Sequence, residues 1–553
     1  MDLWGLLLDV IKVFHTPNKL TIDVTTETYT NARSIKSNDI TDSVQEINEK
    51  VPQDYIDAVK PASQLGKEAC FEILNQAHRK YAEPVIIQVF SGNPSRIQQF
   101  FEYAQDKVNL ELLCYAMVTG IINRKDVDKV AVKILLSHLN IYPEKYFDMN
   151  KINADIKNRN YKILKGKTGE PKAIFVSIND AKTSTNRDPN VYFAKDIKLN
   201  WHYRHWYEVN PFLQKELFQM NRSRGESFYY EHQQLLARYN FEMLCNGLPA
   251  VQPSQFNITD LEFKPGSDEN LFEDLSRRYE ESFISNLGNT DQKSKGLLNN
   301  ILQAETALRN PTFYRLCKHM DDSFYRKKNN LKQYTDDDIR FEGINISKVE
   351  ILPQILETFW EKDAINITQK LSLSQFKKVY AVHTHLQYKE FEYKIQVENN
   401  FTENVLGTVR IFLAPHSKYK IAYKEKRRTF VEMDKFVVNF TASQTTFITR
   451  KSGESSVVNG TCGWPQHLLV GKGTAEGFPC DLFVIITRND KDETEDDRRP
   501  LGFPFDRDMK RDATEIDILN TQFENIKLTQ IQIKHRAETK CSQTLKGLGY
   551  SEQ

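Results

Sequence analysis

The chain has 553 residues, 40% hydrophobic and 27% charged, with 75 Lys and Arg against 74 Asp and Glu. That length exceeds one hydrophobic core and predicts two to four domains. The formal net charge of +1 gives no basic footprint for nucleic acid or an anionic membrane, and no apolar run is long enough to span a bilayer.

Met1 to Phe14 is apolar, but it has no basic start, carries Asp9 inside the run and shows no small-residue cleavage site. It predicts a docked helix or strand rather than a secretion signal. A polar stretch, Thr25 to Lys50, follows. From Ala69 to about Phe147 apolar residues recur at helical spacing. Within this region Ser91-Gly92-Asn93-Pro94-Ser95 predicts a loop and a serine N-cap for an amphipathic helix through Ile97, Phe100, Phe101 and Ala104. Leu110 to Ile122 predicts a buried helix. Asp148 to Asp188, rich in Lys and Asn with one short apolar run at Ala173 to Val176, is expected only to connect.

Two aromatic-rich helices come next. The first lies within Tyr192 to Pro211, where Tyr203 and Tyr207 are spaced i, i+4 and share one helix face. The second begins at Phe228-Tyr229-Tyr230-Glu231-His232-Gln233-Gln234 and ends at Asn246-Gly247-Leu248-Pro249. No histidine occurs between Leu261 and Asn310. A third helix follows Asn310-Pro311-Thr312-Phe313-Tyr314, with Cys317 and His319 about 200° apart around it. Past Asp338 the apolar period changes from helical to alternating. Phe391 to Val397, Thr408 to Leu413 and Phe436 to Phe440 predict strands of a β-sandwich. The seven cysteines, Cys70, Cys114, Cys245, Cys317, Cys462, Cys480 and Cys541, show no CxxC spacing, which argues against a zinc site or a dense disulfide scaffold.

The stretch Tyr192 to Pro211 resembles the copper A signature of the arthropod hemocyanin and prophenoloxidase superfamily, and Phe228 to Gln234 resembles its second copper A helix. By this resemblance Tyr203 and Tyr207 stand where the family has its first two copper-ligating histidines, and His232 is the retained third. His202 and His205 match family positions that do not bind metal, and they are read as packing and hydrogen-bonding groups. The family element carrying the first two copper B ligands is absent, and Asn286 to Asp291 closes over its deletion. Cys317 occupies the position of the third copper B ligand, read as a buried, inert thiol.

Further resemblance lies in Thr384-His385-Leu386-Gln387, Gly407 to Phe412, Glu432 to Val438, Cys462-Gly463-Trp464-Pro465-Gln466-His467 and Gly502 to Arg507, and it points to insect prophenoloxidases. The Cys462 to Gln466 spacing is that of an internal thioester, but Pro465 and the family context favour a structural turn. Gly460 stands where the resemblance expects a disulfide partner, and Asp490 to Asp497 is read as a solvated acidic loop.

The resemblance implies a multidomain α+β fold: a helical domain at residues 1–155, a helical copper-type domain at 156–335 and an immunoglobulin-like β-sandwich at 336–553. It further implies a catalytically inactive, phenoloxidase-like protein with no catalytic residues and no cofactor, although the family carries two copper ions. A non-enzymatic partner or modulator in melanisation is the expected role. A hexamerin-like storage protein and a residual copper-dependent phenol oxidase are the alternatives. Expected partners are phenoloxidase subunits or further copies of the chain, as dimer or hexamer, in the hemolymph after a cytoplasmic stage.

Overall fold

The computed structural model describes residues 51–129, 132–133, 137–165, 171–179, 189–212, 224–253, 301, 303–368, 371, 378–417, 423–489, 499–509 and 517–550. Four of the stretches read above lie outside them: Met1 to Phe14, Thr25 to Lys50, Asn286 to Asp291 and Asp490 to Asp497. By internal packing the chain divides into two units, Met1–Glu72 with Gln76–Ser137, and Ile73–Asn75 with His138–Gln553.

The first unit is helical: α1 (Gln53–Ala62), α2 (Gln76–Ser91), α3 (Pro94–Ala104) and α4 (Leu110–Ile122). The cap of α3 is Asn93 and not the expected serine. Pro94 suits the first helical position because its missing N–H needs no partner there, so the cap falls on the residue before it. Helix α4 is apolar on nearly every face and buried from Leu112 to Ile122. Its polar anchor is Asn109, 1% exposed, whose Oδ1 accepts from the N–H groups of Glu111 and Leu112 at 3.0 and 3.1 Å. The Nδ2 of Asn109 donates to the carbonyls of Gly66, Lys67 and Ala69 at 2.8 to 3.0 Å.

Among its described residues the second unit contains four long helices, α5 (Met149–Lys157), α6 (Ile197–Val209), α7 (Arg224–Cys245) and α8 (Pro311–Lys328). Its strands are β1 (Lys162–Lys165), β2 (Pro171–Asn179), β3 (Ile344–Leu352), β4 (Ile355–Asn366), β5 (Val379–Tyr388), β6 (Glu392–Asn399), β7 (Val405–Pro415), β8 (Val431–Phe440), β9 (Thr445–Lys451), β10 (Phe478–Arg488) and β11 (Ile526–Cys541). They form an eight-stranded sheet in the order β1-β2-β5-β4-β11-β10-β7-β8 and a three-stranded sheet β3-β6-β9. Strands of the small sheet alternate, with Tyr393, Ile395 and Val397 of β6 facing inward. Central β10 reads as a continuous apolar run because both of its faces are covered. Leu482, Val484 and Ile486 enter the core between the sheets, while Phe483 and Ile485 enter a second core with Phe430, Phe503 and Phe505.

The segment expected only to connect is structural: it supplies α5, β1 and β2. Strand β2 runs parallel to β5, with Ile174 opposite Val379. Ile174 and Val176 pack with Ile152 and Ile156 of α5, while Ala173 and Phe175 pack with Tyr380, Val382 and Leu545 on the other face. A short strand buried on both sides shows no alternation, which is why its sequence does not announce it.

Helix α7 joins the helices to the sandwich. Ala237, Phe241 and Cys245 enter the intersheet core. Gly471 lets Phe241 approach, since a Cβ there would lie 2.5 Å from its ring. Gln234 acts as a surrogate strand residue: its Oε1 accepts from the N–H of Glu432 at 2.8 Å and its Nε2 donates to the carbonyl of Phe430 at 3.2 Å. The helix ends at Gly247, φ +70°, with the N–H of Leu248 donating back to Met243 at 2.8 Å.

Replacing Asn109 by Ala leaves two helix N–H groups and three carbonyls without their side-chain partner. The expected loss is about 2–4 kcal/mol of unfolding free energy, read by urea denaturation followed at the helical signal. A change below about 0.5 kcal/mol would show that water replaces all five contacts.

Candidate functional site

Helix α6 is buried on all sides from Leu199 to Glu208, apart from a half-exposed Trp201. A helix so enclosed must give each polar side chain a partner, and its three faces do so differently. It is fixed at its start by Asp196. That side chain caps the helix through Oδ1 to the N–H of Leu199 at 2.8 Å and accepts through Oδ2 from His467 Nε2 at 2.8 Å.

The first face carries Tyr203, Trp206 and Tyr207 toward α7 and α8. The Tyr203 hydroxyl lies 3.0 Å from His232 Nε2 and 2.9 Å from the Tyr207 hydroxyl. His232 Nδ1 is 2.7 Å from the carbonyl of Phe228, one turn back on α7. A carbonyl only accepts, so the proton sits on Nδ1 and Nε2 is the acceptor. This fixes the direction of the whole chain: Tyr207 donates to Tyr203, Tyr203 to His232 and His232 to Phe228. Tyr203 and Tyr207 are each 1% exposed and His232 is 4% exposed. Burial lowers the His232 pKa to about 4, partly opposed by the Phe228 carbonyl, so the ring is neutral at neutral pH. Phe313 of α8 closes the cluster edge-on to Tyr203, 5.2 Å between ring centroids, and Phe228 lies 4.1 Å from the His232 ring. Cys317 follows Phe313 by one helical turn and is buried, which pushes its thiol pKa well up.

The second face carries His202 and His205, and both reach the loop Thr461-Cys462-Gly463. His202 Nε2 is 2.9 Å from Glu231 Oε1 and its Nδ1 3.1 Å from the carbonyl of Gly463. His205 Nδ1 is 2.8 Å from Glu208 Oε2 and its Nε2 3.3 Å from the carbonyl of Thr461. On the third face Arg204 Nε lies 3.0 Å from Glu305 Oε1, and His138 Nε2 lies 3.6 Å from the same oxygen.

Sequence reasoning does not bring two further constellations together. One is the buried ionic group of Arg204, Glu208, Glu305 and His138, whose only local sign is an Arg–Glu pair at i, i+4. The other is a row of imidazoles, His383, His385 and His467, with centroids 5.4 and 4.6 Å apart, ending at Asp196. Its sign is the alternation His383-Thr384-His385, which places both rings on one face of β5.

Residues 137–268 match the hemocyanin copper-containing domain, and residues 333–461 and 459–535 match the hemocyanin ig-like domain. The chain belongs to the hemocyanin and prophenoloxidase superfamily. Phenoloxidase 1 of Holotrichia diomphalia is 27% identical over 586 residues, covering 80% of this chain and 84% of its own. Phenoloxidase 3 of Drosophila melanogaster is 25% identical, covering 90% and 91%. Among solved structures, a scorpion hemocyanin superposes with a TM-score of 0.71 at 21% identity, covering 96% of this chain and all of that one. A crustacean hemolymph-type prophenoloxidase gives 0.70 at 20%, covering 88% and 91%.

Within the superfamily frame, the copper-domain match takes in α6 and α7, while α8 with Cys317 falls in the unmatched interval between residues 268 and 333. The 586-residue span of the Holotrichia match exceeds the 553 residues present here, so part of that relative faces gaps in this chain. Among the described residues no group of three or more His, Cys, Asp and Glu side chains is arranged to hold a metal ion.

Replacing Tyr203 by Phe removes the donor to His232 and the acceptor for Tyr207 at no change in ring volume. A loss of about 1–3 kcal/mol in chemical denaturation is expected. The pH dependence isolates His232 itself. Its folded pKa, about 4, lies below the 6.5 of an unperturbed imidazole, so the unfolded chain binds the extra proton and stability falls as pH drops from 6.5 toward 4. Glu242, raised by burial to about 7, acts in the opposite sense over the same range. The comparison must therefore be between wild type and His232→Gln. The variant should show a slope of unfolding free energy with pH that is smaller by about 1.4 kcal/mol per pH unit between pH 6 and 4.5; equal slopes would mean the imidazole is not desolvated.

Proposed function

We propose that this chain holds no dicopper centre and acts by protein association, as a catalytically inactive partner or modulator in the melanisation response of arthropod innate immunity. The observation that carries this reading is the Tyr203 hydroxyl seated on His232 Nε2. That nitrogen is the one lone pair the imidazole has to offer a metal, because Nδ1 is committed to Phe228. Metal bound there would displace the hydroxyl and leave it without its acceptor in a dry interior.

The donor chemistry supports the same conclusion. Phenol oxidation on this fold, as the family resemblance implies, uses two coppers that together activate dioxygen between sets of neutral imidazoles. The positions corresponding to those imidazoles carry Tyr203, Tyr207, His232 and Cys317. Soft or borderline copper is served poorly by phenolic oxygens, and a thiol whose pKa is pushed up by burial stays protonated at neutral pH. These residues do not fit the group. On this reading the chain keeps the three-part body expected from its sequence, residues 1–155, 156–335 and 336–553, together with surfaces for phenoloxidase subunits or for further copies of itself in the hemolymph.

The test is copper content of the purified chain after dialysis against cupric ion, with dopamine oxidation assayed before and after protease treatment. No retained copper and no oxidation are expected, while the double variant Tyr203→His with Tyr207→His should gain one copper by completing three imidazoles with His232. Two coppers and activity in the wild type would overturn the reading, and one copper bound through His232 would turn it into a mononuclear site.

A further inference from the structure

The loop that carries Cys462 is clasped to α6 on both sides, Thr461 by His205 and Gly463 by His202. Between these anchors Cys462 Sγ lies 3.9 Å from His202 Nδ1. His202 is in turn oriented by Glu231 at 2.9 Å and braced by Trp464, whose ring stands edge-on at 5.2 Å. The thiol is half-buried and in no disulfide. A nucleophile, a base in contact with it and a carboxylate that orients the base are the three parts of an activated thiol.

We propose that Cys462 is a nucleophilic thiol activated by His202 and Glu231, and that it is a covalent modification site for soft carbon electrophiles such as activated alkenes. Both ring nitrogens of His202 face acceptors, the Glu231 carboxylate and the Gly463 carbonyl, so the ring satisfies both only with a proton on each. Cys462 is the adjacent source of the second proton. Its transfer leaves a thiolate beside an imidazolium, and the thiolate is the reactive form of cysteine. In the addition, a sulfur electron pair forms the S–C bond at the alkene terminus. The alkene π pair moves onto the activating carbonyl as an enolate, and the enolate takes back one proton from the imidazolium. Atoms and electrons balance without a further reactant.

Five of the six remaining cysteines supply the contrast. Burial pushes the thiols of Cys245, Cys317 and Cys480 up, which keeps them protonated, whereas Cys70 and Cys541 are half-buried as Cys462 is. They are internal controls for exposure.

The experiment is timed labelling of the folded full-length chain with iodoacetamide, where the sulfur displaces iodide, read peptide by peptide in the mass spectrometer. Cys462 should react roughly tenfold or more faster than Cys70 and Cys541. His202→Gln should bring Cys462 down to the rate of those two while leaving theirs unchanged. Glu231→Gln, which keeps the size of the side chain, should lower the Cys462 rate part of the way and stands in if the histidine variant does not fold. Equal rates for all three cysteines in the wild type, or a Cys462 rate indifferent to both substitutions, would overturn the proposal.

Discussion

One hydrogen bond sets the character of the helical core: the Tyr203 hydroxyl donating to His232 Nε2. Its direction is not optional, because the other nitrogen of the ring must donate to a carbonyl at 2.7 Å. Every polar atom nearby then takes its role from that choice. Tyr207 donates because Tyr203 has its proton committed, and the surrounding Phe228, Phe313 and Trp206 supply apolar and edge-on ring contacts that do not compete for the proton. A neutral imidazole with a lowered pKa is the only protonation state that fits a site this dry.

The same helix resolves two further problems of burial. Arg204 and Glu208 are 1% exposed each, and charged groups taken that far from water are tolerable only in pairs. Glu305 and His138 complete that arrangement. The remaining face carries His202 and His205. They spend both nitrogens on carboxylates and on the carbonyls of the loop 461–463, so the helical region and the β-rich region are stitched through imidazoles. Asp196 makes a third stitch, because one of its oxygens caps α6 and the other holds His467. Burial alone would raise the Asp196 pKa, but the charge and hydrogen bond of His467 outweigh it and hold the carboxyl well below the ordinary range.

How much of this could be read in advance depended on whether the cause was local. The i, i+4 spacing put Tyr203 and Tyr207 on one face, and α6 presents them together. The apolar run Leu110 to Ile122 and the alternation in β6 were equally plain, since each reports its own burial. The strand β2 was missed because both of its faces are covered and four buried residues in a row carry no period. The serine cap was misplaced because Pro94, a good first helical residue, moved the cap to Asn93. The contacts of His202 and His205 with residues more than 250 positions away had no local signature at all. Spacing said which way those rings do not point; only the fold says what they meet.

Rotation along α6 lets one helix serve two unlike surroundings. Each residue turns the side chain by about 100°, so His202 and Tyr203, neighbours in sequence, look into different surroundings. Tyr203 looks inward, where aromatic rings exclude water and every proton has a single destination. His202 looks toward a loop whose carbonyl and thiol both compete for its Nδ1, with a half-buried sulfur at 3.9 Å. Chemistry needs that second condition: a group with two partners in reach and solvent nearby can move a proton, whereas a fully satisfied chain in a dry interior cannot. The face that the resemblance marks for a metal and the face that meets Cys462 are thus turned about 100° from each other on one helix.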